Sequence, residues 1–298
     1  MAEDTSTRDE PVELHHAGKG TRRFKPEQVL LYVILILVAL FFLLPLLWMV
    51  STSLKLGTQA TIDRGWIPAN PTLENFTTIL QAGGQTPVLR WFMNSTLVSV
   101  IGTSLTVLVT ALSGYAFARI DFPFKNALFT ILITTLLLPG VMFLVPQFLL
   151  VRDLRDLGVI NTLVALFLPG VAGVFGVFFM RQFFMGIPLE IEEAAYVDGA
   201  GRFRTFWSVV MPLARPAMAT LAVITFLFFW NDYLWPLVIS RGPETTLTAG
   251  LRQFQTQFTV NYGLLMSGAV IAAVPVLIIY AIAQRFIVQA VTSSGVKG

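Results

Sequence analysis

Residues 29–50 read Val-Leu-Leu-Tyr-Val-Ile-Leu-Ile-Leu-Val-Ala-Leu-Phe-Phe-Leu-Leu-Pro-Leu-Leu-Trp-Met-Val, with no charged side chain among them. Crossing roughly 30 Å of hydrocarbon at about 1.5 Å per residue takes about 20 mostly apolar residues, and this stretch supplies them. It is also longer than the apolar core of a signal peptide. The residues before it are polar and carry both charge signs, with no small-residue cleavage site, so the segment reads as a retained anchor. Pro45 lies inside it.

Five further windows pass the same test. Residues 91–118, 126–151, 157–180 and 253–284 are uncharged, the last with its apolar part beginning near Gly263, and residues 216–239 contain only Asp232. The pattern predicts an all-α polytopic membrane protein with six transmembrane helices. Charged residues are 12% of the 298-residue chain, against about 25% in soluble domains. A buried soluble helical core would need polar faces that these runs lack.

Basic residues set the expected orientation. With both termini in the cytoplasm, 13 of the 20 lysines and arginines fall on the inner side, including Lys19, Arg22, Arg23 and Lys25 beside the first span. This satisfies the positive-inside bias. The expected divisions are a disordered cytoplasmic tail (1–27), the first helix with an outer loop (28–90), a five-helix core (91–285) and a cytoplasmic C-terminal tail (286–298).

Composition also excludes chemistry. There is no cysteine, and the two histidines, His15 and His16, sit together in the N-terminal tail. Thiolate nucleophiles and cysteine-ligated metals are excluded, and no metal site is expected. No G-x-x-x-x-G-K-[ST] phosphate loop is present, so no ATP hydrolysis is expected from this chain alone. A membrane-embedded enzyme would need paired carboxylates or histidines at one depth, and the spans offer only Asp232.

The loop 181–215 is the longest on the inner side and is patterned. Pro188 followed by Glu190, Glu192 and Glu193 suits a helix N-terminus. Ile191, Ala194 and Ala195 share one small apolar face. Gly199 and Gly201 then break the helix, and residues 203–211 suit a second helix ending at Pro212. Two short helices with a glycine bend resemble a docking knob for another protein.

The run Glu193-Ala194-Ala195, three residues, Gly199, nine residues, Val209-Val210-Met211-Pro212 is similar to the EAA signature of ABC-importer permeases, with Asp198 in the common D-G-A run. Residues 68–76 (Pro-Ala-Asn-Pro-Thr-Leu-Glu-Asn-Phe) and Trp230-Asn231-Asp232-Tyr233 resemble elements of the carbohydrate branch, specifically the smaller permease of the maltose-transporter (MalG) type. The terminal Gly295-Val296-Lys297-Gly298 resembles the tails that contact the ATPase dimer in these systems.

The resemblance implies the type I importer permease fold and a coupling loop made of Glu193, Ala194, Ala195, Asp198, Gly199 and Pro212. It implies these partners: a second permease, two copies of a cytoplasmic P-loop ATPase holding ATP and magnesium, and an extracytoplasmic sugar-binding protein. No cofactor is expected on this chain and no nucleic acid among its partners. The expected location is the cytoplasmic membrane of a bacterium or archaeon.

Candidates for the substrate path are Asn94 and Ser95 near the outer end of the second span, and Trp230, Asn231, Asp232, Tyr233 and Trp235 in the fifth. A charge in hydrocarbon is costly, so Asp232 should face a cavity or a partner. The tryptophans could stack on sugar faces, or the cluster could anchor the helix at the headgroups; Asp232 could instead pair with a partner helix. Asn94 and Ser95 could equally hydrogen-bond between helices. The loop 241–261 either reaches into the binding protein, as in the resembling family, or is a solvated connector. Two alternatives remain at this point. One is a same-branch importer of glycerol phosphate, for which Arg90 is the nearest basic candidate; the other is a proton-coupled transporter using Asp232.

Overall fold

The computed structural model describes residues 26–56, 60, 65–81, 87–255 and 260–294, with side chains through residue 284. The expected disordered tail, His15 and His16, and the terminal Gly295–Gly298 contact lie outside the described residues, apart from Pro26 and Glu27. Two compact units are distinguished, Met1–Leu46 and Leu47–Gly298. The first contains most of α1 (Pro26–Ser53), which continues through Pro45 without a break.

The second unit contains the other described helices. In chain order its α-helices are α2 (Glu74–Leu80), α3 (Val88–Arg119), α4 (Lys125–Thr134), α5 (Leu144–Asp156), α6 (Thr162–Phe167), α7 (Val174–Met185) and α8 (Leu189–Val197). There follow α9 (Arg202–Thr205), a π turn (Phe206–Val210), α10 (Met211–Leu213), α11 (Arg215–Asn231), α12 (Leu234–Ile239), α13 (Leu247–Gly250) and α14 (Tyr262–Ser294). Extended pairing among the described residues is confined to one antiparallel bridge, Gln255 with Val260.

Among the described residues, three helices are long and apolar enough to cross a bilayer unbroken: α1, α3, and α14 over Tyr262–Gln284. The other candidate spans are bent. Lys125–Leu137 and Gly140–Asp156 meet at 99°, and Thr162–Gly170 and Val174–Met185 at 47°. The first break falls at Leu138-Pro139, just before Gly140, and the second, at residues 171–173, directly follows Pro169-Gly170. Proline removes one backbone donor and glycine adds freedom at the same point, whereas the lone Pro45 and Pro275 stay inside continuous helices. The window 216–239 is also interrupted: α11 stops at Asn231 and Asp232 is extended (φ −64°, ψ 121°) before α12 begins.

α3 is the central helix, packing on α6, α7 and α11. In lipid the apolar effect does not drive helices together, so close approach of small residues does. A Cβ on Gly114 would lie 2.8 Å from Cβ of Met180, and one on Gly176 would lie 2.7 Å from Cγ2 of Thr110. The two glycines let α3 and α7 touch along their length.

The segment 68–76 has a local structural role. The Asn75 side chain is buried and donates to the carbonyls of Ser53 (2.8 Å) and Lys55 (2.7 Å), capping the C-terminal end of α1. Ser267 on α14 donates to the same Ser53 carbonyl at 3.2 Å. Orphan carbonyls at a helix end buried in the protein require such donors.

Candidate functional site

α8 begins after Pro188 and ends in a glycine cap. Gly199 has φ +82°, its N–H donates to Tyr196 O (3.0 Å), and the Ala200 N–H donates to Ala195 O (2.9 Å). This pair of bonds with a left-handed glycine is the Schellman ending, and it turns the chain sharply. No atom lies within 4 Å of where a Gly199 Cβ would be, so the glycine serves the backbone conformation rather than packing. Glu193, Ala194, Asp198 and Gly199 are exposed, while Ala195 is half-buried. Ile191, Tyr196 and Val197 add exposed apolar surface around them.

Glu192 points the other way and is buried. Its Oε1 meets Nε of Arg119 at 2.6 Å and its Oε2 accepts from the Tyr115 hydroxyl at 2.9 Å. Arg119 also donates through Nη2 to the Ile187 carbonyl at 2.5 Å. The sequence placed Glu192 with Glu190 and Glu193 as a helix-dipole group; its anchoring role depends on Arg119, 73 positions away.

The second half of the loop is helical over the expected stretch and one residue further at each end. It runs from Arg202 through Pro212 to Leu213, then turns by 75° into α11. A proline ring inside a helix collides with the carbonyl four residues earlier. Here the preceding turn, Phe206–Val210, is π-helical, which widens the backbone where that collision would fall. Phe206 and Val210 bury against Ala111 and Tyr115 of α3 and Met180 and Phe184 of α7. The Tyr115 and Phe206 rings lie 4.8 Å apart. Each of these loop side chains, lying outside the expected spans, contributes about 1.5–3 kcal/mol by leaving water.

At the other end of α11 the expected substrate cluster divides. Trp230 is buried between Phe92 and Phe226 (ring centroids 5.7 and 5.6 Å) and donates to Ala272 O at 3.0 Å. Trp235 is buried and donates to Ala165 O at 3.0 Å. Their stacking on sugar faces is therefore corrected: both rings are packed within the chain. Asn231 and Tyr233 are exposed and Asp232 is half-buried. One Asp232 oxygen accepts from the Trp235 N–H at 3.3 Å, opening α12, and its carbonyl accepts from Thr248 at 2.8 Å.

Asn94 and Ser95 hold the loop that follows α12. Asn94 donates to the carbonyls of Pro243 (3.0 Å) and Thr245 (2.9 Å), and Ser95 accepts from the Leu247 N–H at 2.8 Å. Trp91 donates to Gly242 O at 2.8 Å. Residues 242–254 are thus fastened onto the end of α3, and Leu247, Leu251 and Phe254 join the cluster around Trp91 and Trp230. The solvated-connector reading of residues 241–261 fails for this part.

Two further features were hidden in the linear pattern. A largely apolar cavity of about 480 Å³ is bounded by both Pro-Gly breaks, with Thr106, Phe143, Phe175, Thr225 and Phe228 in its wall. A second cleft, of about 330 Å³, is lined by Arg152, Arg155, Arg241 and Glu244. Arg90 is not part of that basic group; a sequence reading cannot see that residues near 152 and 241 meet.

Residues 107–293 match the family described as the binding-protein-dependent transport system inner membrane component. This chain belongs to that family. Over 265 residues the permease is 33% identical to the arabinooligosaccharides transport system permease protein AraQ of Halalkalibacterium halodurans, covering 88% of this chain and 93% of that one. It is 31% identical to the lactose transport system permease protein LacG of Rhizobium radiobacter, covering 92% and 98%. Its fold is similar to that of a bacterial ABC transporter involved in the import of the acidic polysaccharide alginate: TM-score 0.74, 23% identity, 88% and 98% covered. The permease is accordingly a transport subunit with the type I importer permease fold. The α8 segment falls within the matched region.

Proposed function

We propose that this permease forms one half of an ATP-driven sugar importer in the cytoplasmic membrane, with both termini on the inner side. In this reading α8 docks on a cytoplasmic P-loop ATPase, which holds ATP and magnesium, and a second permease completes the path. A solute-binding protein delivers sugar at the opposite face, where the base of the loop 242–254 is a firm platform. The single observation that carries the reading is α8 itself. It presents Glu193 and Ala194 outward with Ala195 half-buried beside them, is ended sharply at Gly199, and is gripped from behind by α3. The half-path on this chain is the cavity between the broken spans, with Asn231, Asp232 and Tyr233 nearer the outer end.

Sugar is favoured over glycerol phosphate because AraQ and LacG are named for saccharides. A proton-coupled mechanism through Asp232 has little support, since the carboxylate is engaged in opening α12 and the family works with binding proteins. The test is to purify the tagged chain in mild detergent from its native membranes and identify what accompanies it. A second permease and a P-loop ATPase are expected, and the complex should take up sugar in liposomes only with ATP and binding protein. Recovery of the chain alone, moving solute without ATP, overturns the reading.

A further inference from the structure

The carboxylate of Glu192 is held at both oxygens, by Arg119 at 2.6 Å and by the Tyr115 hydroxyl at 2.9 Å. Tyr115 and Arg119 are one turn apart on the last turns of α3, and Glu192 lies in the first turn of α8. Arg119 adds a third tie, to the carbonyl of Ile187 just before α8 starts. The Arg119 and Glu192 side chains are only 10% and 4% exposed, so salt screens this pair weakly. A single contact would fix a distance; three contacts to two consecutive turns fix the direction of α8 relative to α3.

We propose that Tyr115, Arg119 and Glu192 are positioning residues that make α8 and α3 one lever, so that a push on the exposed face of α8 turns the central helix of the permease instead of bending the loop. This rests on the reading of α8 as the ATPase-docking helix. The lever has a definite path inward. α3 packs along α7 and α11, and Tyr115 also touches Phe184 of α7 and Phe206 of the loop, at centroid distances of 5.8 and 4.8 Å. A rigid hydrogen-bonded element with two arrangements is the physical route by which distant sites couple.

The test uses the complete transporter in liposomes with its binding protein, and reads sugar moved per ATP hydrolysed. The variants are Arg119→Lys, Glu192→Gln, Arg119→Glu alone, the exchange Arg119→Glu with Glu192→Arg, and Glu193→Ala on the exposed face. We expect Arg119→Lys and Glu192→Gln to retain co-purifying ATPase within about twofold and to lower sugar per ATP about tenfold, a usual scale for coupling between sites. The exchange should recover at least about threefold over Arg119→Glu alone. If Arg119→Lys and Glu192→Gln leave the ratio unchanged while Glu193→Ala uncouples, the lever proposal is overturned and the docking reading stands. If Arg119→Lys, Glu192→Gln and Glu193→Ala all leave the ratio and the ATPase recovery unmoved, the docking reading itself falls. If both conservative variants lose the ATPase altogether, the pair is a folding contact and the proposal is overturned.

Discussion

Glu192 and Glu193 are adjacent in the chain but lie on different faces of α8, the first buried against Arg119 and the second in solvent. Successive residues on a helix are about 100° apart, so one glutamate can hold the helix while its neighbour meets a partner. Glu193→Ala is therefore expected to change the stability of the purified permease little, by less than about 0.5 kcal/mol, while reducing ATPase recovery and uptake. Glu192→Ala leaves Arg119 buried without its partner and should cost about 3–5 kcal/mol. Thermal unfolding in detergent separates the two.

Gly199 adopts φ +82°, a conformation costing a side-chain-bearing residue about 1–2 kcal/mol. Gly199→Ala should lower stability by that amount and no more, because nothing crowds its Cβ. Gly199→Pro should do far worse: it forbids the positive φ and removes the N–H that bonds Tyr196 O. ATPase recovery from membranes carrying each variant measures the difference.

Gly114 offers the opposite case, an ordinary helix backbone with no room. Gly114→Ala places a Cβ 2.8 Å from Met180 Cβ, and overpacking of this kind costs about 1–3 kcal/mol. Gly114→Leu should prevent assembly of the α3–α7 pair, read as loss of a monodisperse peak in size-exclusion chromatography.

Asn75→Ala removes the side-chain donor to the Lys55 carbonyl and leaves Ser53 O only the longer bond from Ser267; an unsatisfied buried carbonyl costs about 1–3 kcal/mol. Asn75→Asp should be no milder, since a carboxylate accepts where the site needs a donor. Limited proteolysis near residue 55 should be faster in both variants than in the parent.

Asp232→Asn keeps an acceptor for the Trp235 N–H and so should assemble normally. Under the importer reading it lowers uptake more than assembly, and uptake remains dependent on ATP. A variant that lost assembly and uptake together would mark Asp232 as a structural residue.

What was legible in the sequence follows the physics of each feature. Apolar runs, the paired Pro139-Gly140 and Pro169-Gly170, and the spacing from Glu193 to Gly199 are local, and a linear pattern carries them. The sequence left Trp230 and Trp235 between sugar stacking and a structural role, because a tryptophan near a membrane interface looks the same whether its N–H meets water or a carbonyl such as Ala272 O or Ala165 O. The second helix of the loop was legible, but the π turn inside it was not, because a π turn has no sequence signature of its own. Glu192 differed from Glu193 only through Arg119, and contacts over such separations are invisible without the fold.

The chain has no cysteine, which makes its most direct test clean. A single Val197→Cys on the exposed face of α8, labelled with a short photo-crosslinker in native membranes, samples what α8 touches. The account predicts an adduct with a P-loop ATPase from Val197 and none from a Gln255→Cys control at the opposite end. An ATPase adduct from Gln255, or none from Val197 in transport-competent membranes, would contradict it.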